Sequence, residues 1–216
     1  MKKQYAVFGL GMFGKSVALG LEALGCEVVA VDNSMEKVQE IADSVSYAMC
    51  ADIQEPEVMK TLGAKNLDGA VIAIGENFEA SVLATILAKE AGIPYVGAKA
   101  QNDLHEMILK KVGADSIVHP EKAMGSRLAR NLVSGSFADW IELSADYSIV
   151  ETKIPKDWVG KRLIDLKIRE KYGINMVGVV ENGKMDVTID PYRVFAEQSI
   201  VILVGSNKAL EKLEKE

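Results

Sequence analysis

The stretch from Gln4 to Asp32, QYAVFGLGMFGKSVALGLEALGCEVVAVD, decides the reading of the chain. An apolar run over residues 5–8 stops at Gly9, and Gly9, Gly11 and Gly14 fall in the pattern G-x-G-x-x-G. A helical apolar stripe of Val17, Leu21 and Leu24 follows and ends at Gly25. A second apolar run, residues 28–31, ends on Asp32, 18 residues after Gly14. Each part has a mechanical reason. Gly9 permits a tight turn, Gly11 lets backbone approach a pyrophosphate, and Gly14 lets helix and strand pack closely. The helix start offers unpaired N–H groups and the positive end of its dipole to phosphate. Asp32 can accept both hydrogen bonds of a ribose diol. The glycine pattern alone is a weak signal, but strand, turn, helix, strand and acid in that order read as a βαβ nucleotide site.

Composition sets the bounds. A chain of 216 residues has room for one large domain, or one medium and one small. With 49% apolar and 26% charged residues it reads as an ordinary globular protein. No apolar stretch approaches the ~20 residues of a membrane span, and the early first strand leads us to expect no signal peptide. Cys26 and Cys50 give neither metal spacing nor a disulfide framework, which fits a reducing cytoplasm. The net charge of −6 is uneven: residues 1–120 hold 10 Lys and no Arg against 16 acids, whereas residues 121–216 hold 15 bases and 15 acids. An acidic chain without a basic stripe argues against a nucleic-acid partner.

Strand and helix signals then alternate. Ser34 precedes a helix with Val38 and Ile41 turned inward, and a strand near residues 46–49 runs into Asp52. A helix over 55–62 carries Pro56 in its first turn. Residues 69–75, GAVIAIG, read as a fully buried parallel strand. A helix over 77–91, a strand over 94–98, a helix over 103–112 and a strand over 115–118 complete six alternations, the pattern of a Rossmann-like, doubly wound parallel α/β sheet over residues 1–120. From Glu121 to about Ser134 a helix carries the stripe Met124, Leu128 and Leu132, whose burial requires its own domain or a second subunit. Ser134-Gly135-Ser136 reads as a hinge. Residues 137–216 form a small α+β module, with strands over 139–143, 149–154, 174–181 and 199–205, a hairpin turn at Asn182-Gly183, and helices near 161–166 and 208–215.

A nucleotide site alone does not separate an enzyme from a sensor. A dehydrogenase needs an acid/base group poised at the nicotinamide. The two histidines are His105, read as an exposed helix residue, and His119, at a strand end near the ligand edge. Residues 137–216 hold neither His nor Cys, and no His/Asp, Ser/His or metal-ligand constellation emerges. The chain therefore reads as non-catalytic, with a small NAD-dependent oxidoreductase or a stand-alone redox or nucleotide sensor as the alternatives. Ligands of open α/β sheets bind at strand C-termini. Asp52 there reaches an adenine amino group or caps a helix. Asn33 and Lys37 flank the ribose acid, and Ile74 and Gly75 supply apolar wall. Lys99 ends a strand with no obvious partner, so it reaches phosphate or joins an ion pair. The first Arg is Arg127, which disfavours a 2′-phosphate clamp and hence NADP.

The runs AVFGLGMFGKSVA, VVAVD, VIAIGENFEAS, KAQND, GADSIVHPEKAMG and IREKYGIN resemble the regulatory subunits of bacterial Ktr and Trk potassium transporters, built on the RCK (or KTN) fold. The resemblance spans both domains. It implies an N-terminal RCK domain over 1–120 that binds ATP, ADP or NAD(H), a crossover dimerisation helix and hinge over 121–136, and an RCK C-terminal (TrkA-C) domain over 137–216. It further implies homodimers assembled into an octameric ring beneath a membrane potassium-channel subunit, so that the chain is cytoplasmic and peripheral to the membrane. The nucleotide site is then expected at Gly9, Gly11, Met12, Phe13, Gly14, Asp32, Asn33, Lys37, Asp52, Ile53, Ile74, Gly75, Lys99 and Glu121. Glu121 matches a position where two facing sites hold a divalent cation, Mg²⁺ or Ca²⁺. One departure matters: many relatives carry an arginine that reaches the γ-phosphate across the dimer where this chain has Met12, so Lys99 or Lys15 would have to supply that cation, and NAD(H) or AMP-like ligands gain weight. In the C-terminal domain the resemblance implies a cyclic di-AMP site at Ile164, Asp165, Ile168, Arg169, Asn175, Met176 and Pro191; the alternative is that Ile164, Ile168 and Met176 are dimer core.

Overall fold

The computed structural model describes residues 2–133 and 137–214, which fall into two compact units, Met1–Glu121 and Lys122–Glu216. The hinge expected at Ser134-Gly135-Ser136 lies outside the described residues. The first unit alternates β1 (Gln4–Phe8), α1 (Met12–Ala23), β2 (Glu27–Asp32), α2 (Met35–Ile41), β3 (Tyr47–Cys50), α3 (Pro56–Thr61), β4 (Gly69–Ile72), α4 (Phe78–Glu90), β5 (Val96–Lys99), α5 (Asp103–Lys111) and β6 (Ser116–Val118). The six strands are parallel in the order β3-β2-β1-β4-β5-β6, the doubly wound Rossmann arrangement.

Period-2 side-chain alternation sends neighbours in one strand to opposite faces. Ala6 and Phe8 of β1 join one core with Val31, Ile72 and Ala98, while Val7 joins the other with Val28 and Ala30. Both faces are covered, so these strands are apolar throughout rather than at every second residue. The chain then enters α6 (Pro120–Val133), whose stripe remains open to solvent: Met124 is 58%, Leu128 60% and Leu132 77% exposed.

The second unit holds β7 (Phe137–Glu142), β8 (Tyr147–Lys153), α7 (Leu163–Leu166), α8 (Ile168–Tyr172), β9 (Asn175–Glu181), β10 (Lys184–Asp186), β11 (Ile200–Ser206) and α9 (Asn207–Glu214). Its antiparallel sheet runs β10-β9-β11-β8-β7. Burial alternates strictly along β8 and β11, and the inward face packs on Trp158, Phe195, Leu210 and Leu213. Asn182 (φ 51°) and Gly183 (φ 74°) are both left-handed, the geometry of a two-residue hairpin turn, and they join β9 to β10. The helix expected near 161–166 is α7, and a further short helix, α8, follows it without a counterpart in the sequence reading. Lys167 takes φ 46° between α7 and α8, and Gly173 ends α8 at φ 70°.

Candidate functional site

A cavity of about 460 Å³ opens at the carboxyl ends of the first unit's strands, within the range of small-molecule sites. It sits where strand order reverses between β1 and β4, the place at which open α/β sheets take ligands. Its floor is the glycine loop. Gly9 bends the chain with φ 93°, and its N–H donates to the Val31 carbonyl at 2.8 Å. A Cβ on Gly14 would stand 1.8 Å from the Gly9 carbonyl oxygen, so only glycine lets α1 start against β1. Gly14 acts from below and does not itself line the cavity. Gly11 differs from both: its φ is −65° and a Cβ there would meet nothing within 4 Å. The space above Gly11 is empty of protein and open to a ligand. Gly11 also precedes α1 without any side-chain cap, and the first turn holds no acid. The leading N–H groups of α1 thus face the cavity end with their positive dipole unanswered.

Asp32 ends β2 only 7% exposed. Its Oδ2 accepts from the Leu10 N–H at 2.7 Å and its Oδ1 from the Ser34 N–H at 2.8 Å. This carboxylate therefore staples the glycine loop to the sheet. With about four lone-pair sites it also retains acceptors for a diol. Lys37 Nζ lies 3.7 Å from Oδ2 and offsets the buried charge. Asp52 lines the cavity, and its Oδ1 accepts from the Gln54 N–H at 2.9 Å. Of the two roles open to it, capping is not the one it takes: Glu55 holds the N-cap position of α3, without a side-chain cap hydrogen bond. Met12, Phe13, Asn33, Ile53, Ile74 and Gly75 all reach the cavity, with Met12 91% exposed at its rim.

Lys99 has a partner after all. Its Nζ donates to Glu121 Oε1 at 2.5 Å, across the end of β5 to the first turn of α6. This hydrogen bond holds the Glu121 carboxyl below the ordinary carboxylate range. The Lys99 side chain is 14% exposed and the Glu121 side chain 71%, so the cation is inside the cavity and the acid at its mouth. Among the described residues Glu121 belongs to no cluster of three converging His, Cys, Asp or Glu side chains.

The two histidines separate. His105 is not exposed: it is fully buried, and its ring lies 4.8 Å from that of Phe78. Its Nδ1 accepts from the Gln101 N–H at 3.3 Å, which places the proton on Nε2. Apolar residues at 104 and 107 disguise this, since α5 turns Leu104 and Met107 outward and His105 and Leu109 inward. His119 pairs through Nε2 with Glu106 Oε2 at 2.7 Å and does not line the cavity. Residues the sequence reading passed over are Gln54, Glu76, Asn77 and Ala80 of the lining. Asn77 carried a signal, as the N-cap of α4: its Oδ1 accepts from the Ala80 N–H at 3.0 Å.

In the second unit Ile164 is 47% exposed, and its N–H donates to the Pro191 carbonyl at 2.9 Å. Asp165 pairs with Arg162 at 2.6 Å. Arg169, Asn175 and Pro191 are exposed, whereas Ile168 is buried in the core and Met176 packs against it.

Comparison with known proteins gives these two units a shared family. The TrkA-N domain family matches residues 5–120 and the TrkA-C domain family residues 149–216. The Ktr system potassium uptake protein C of Bacillus subtilis (strain 168) is 43% identical over 215 residues, 100% of this chain and 97% of the relative. The chain belongs to the Ktr/Trk family of potassium uptake proteins. A second Ktr/Trk relative, the Ktr system potassium uptake protein A of the same bacterium, is 39% identical over 99% of this chain and 96% of its own. The fold matches a structure titled as the GsuK channel bound to NAD with TM-score 0.69 and 19% identity, covering 100% of this chain and 40% of that one. Among the described residues no helix is long and apolar enough to cross a membrane.

Proposed function

We propose that this chain is a non-catalytic, nucleotide-responsive regulatory subunit that gates a membrane potassium-channel subunit from the cytoplasmic side. The carrying observation is the open space over Gly11, set between the uncapped start of α1 and the buried Asp32. Phosphates fit the first and a ribose diol the second. The cavity lining holds no histidine or cysteine, so a hydride-transfer reading finds no imidazole or thiol acid there. ATP, ADP and NAD(H) are the ligands that this geometry suits. With Met12 in place of a cation, Lys99 is the lining cation nearest the α6 start and the counter-charge for a terminal phosphate. The open stripe of Met124, Leu128 and Leu132 supports dimerisation along α6 and, through dimers, a ring. A divalent ion at Glu121 then requires ligands from a second copy or from the nucleotide phosphates.

Gating follows if the ligand binds two arrangements of the dimer unequally, since a ligand shifts an equilibrium only by its differential affinity. A thermal-shift panel with ATP, ADP, AMP, NAD⁺ and NADH tests the site. A ligand at 100 times its Kd adds about 2.7 kcal/mol of stability. We expect that shift in the wild type and its loss in Asp32→Asn; no shift with any nucleotide overturns the reading. The exposed Arg169, Asn175 and Pro191 support a cyclic di-AMP site in the second unit. Arg169→Ala should then abolish the calorimetric signal for that ligand, and an unchanged signal removes the assignment.

A further inference from the structure

Away from the nucleotide cavity, three side chains of metal-ligating type converge from two elements. Asp103 and Glu106 stand at i and i+3 in the first turn of α5, and His119 follows β6. One ligand atom from each lies within 4.8 Å of the others. His119 Nε2 is already 2.7 Å from Glu106 Oε2, and its side chain is only 16% exposed. The supports are firm. Asn102 caps α5 by accepting the His105 N–H at 2.9 Å, which fixes the turn that carries both acids. His119 is set between the last residue of β6 and Pro120, the first of α6. None of the three lines the cavity.

The plain account is that two acids favour a helix start and that one of them holds an imidazole. That accounts for each acid singly and for the 2.7 Å contact. It leaves the convergence itself: two carboxylates and an imidazole from two elements put one ligand atom each within 4.8 Å of the others. We infer that Asp103, Glu106 and His119 form a divalent transition-metal site, distinct from Glu121. The donor set selects the ion class: one imidazole nitrogen with two carboxylate oxygens suits Zn²⁺, Co²⁺ or Mn²⁺, while Mg²⁺ and Ca²⁺ prefer oxygen alone. Ligand–metal distances near 2.0–2.2 Å bring donors closer than 4.8 Å, a change that rotation of two exposed carboxylate side chains supplies. The ion replaces the proton shared between His119 and Glu106, and three protein ligands leave a position for water.

The test uses the full chain, stripped with chelator and titrated with Zn²⁺ in the absence of nucleotide, against a chromophoric competitor. The expected result is one saturable site per chain that His119→Gln removes. Changes to outer-shell partners already cost about 10–100-fold in metal affinity, so Glu106→Gln or Asp103→Asn should cost at least roughly tenfold. Cys50→Ser should leave the isotherm unchanged. Co²⁺ in place of Zn²⁺ should give visible d–d bands without a thiolate charge-transfer band. Circular dichroism confirms that each variant is folded, and a variant that is not is replaced by His119→Phe. Zinc binding that survives in folded His119→Gln, or a wild type with no saturable site, overturns the inference.

Discussion

Two glycines of the same loop make opposite predictions, because one is needed by the protein and the other by the ligand. Gly14→Ala places a methyl group 1.8 Å from the Gly9 carbonyl oxygen and 2.9 Å from the Ala73 Cβ. The obstacle is backbone on one side and a buried strand-end residue on the other, so α1 must move off β1. Overpacking of a tight core costs about 1–3 kcal/mol, and a clash with backbone belongs at the upper end or beyond. For a unit of this size 1 kcal/mol is worth roughly 4 °C, so Gly14→Ala should melt about 10 °C or more below the wild type. Gly11→Ala meets no atom within 4 Å and keeps a φ that alanine adopts freely. It loses a few tenths of a kcal/mol at the helix cap and regains about 0.4–1 kcal/mol through the unfolded chain, so its ligand-free melting point should stay within a few degrees. The methyl does occupy the space assigned to phosphate. The nucleotide-induced shift, about 2.7 kcal/mol at 100 times Kd, should therefore vanish in Gly11→Ala. Differential scanning fluorimetry with and without ATP and ADP reads all of these values. Wild-type melting of Gly14→Ala, or a full nucleotide shift in Gly11→Ala, would refute the reasoning.

Other predictions concern the pairs around the sheet edge and the second unit. The pKa of His105 is held below its ordinary value, by burial first and by the positive charge of His119 second. The unfolded chain thus takes up a proton that the folded chain refuses, and stability should fall as pH drops through about 6.5 and below. His105→Phe should flatten that part of the stability–pH curve measured by urea denaturation, and an unchanged slope would assign it elsewhere. Glu121→Gln removes the acid that occupies Lys99, so ATP should bind several-fold tighter without Mg²⁺, as calorimetry would show; weaker binding would mean that Glu121 helps hold the ligand directly. Arg193 bonds Asp186 and Glu181 at 2.8 Å each, and Glu181 Oε1 in turn accepts from Ser199 Oγ at 2.5 Å. Arg193→Ala should destabilise the second unit by about 2 kcal/mol in denaturant, since hydrogen bonds to charged groups are worth about 1.5–3 kcal/mol and these are partly solvated.

The first unit was legible because its signals are local. Gly9, Gly14 and Asp32 each answer to a constraint within thirty residues, and parallel strands buried on both faces announce themselves as unbroken apolar runs. What stayed hidden depends on groups brought together from afar. Lys99 seemed unpartnered because Glu121, 22 residues later, reaches it only once β5 and the start of α6 lie side by side. His105 read as exposed because a polar residue beside Glu106 suggests a solvated face, while the rotation of α5 is set by Leu109 against the sheet. The helix α8 went unread because Lys167 turns the chain after α7 through a left-handed backbone that no glycine advertises. Gln54, Glu76 and Asn77 reach the cavity from loops after β3 and β4, where sequence fixes a turn but not its direction.

The central claim is that a nucleotide at the Gly11 cradle changes ion flow through a membrane partner. Potassium flux into liposomes that carry the Ktr-type channel subunit of the same organism, with this chain added outside, measures it directly. We predict that exchanging ATP for ADP changes the flux in the presence of the wild-type chain and leaves it unchanged with Gly11→Ala. Flux that ignores the nucleotide, or that responds equally with Gly11→Ala, would contradict the account.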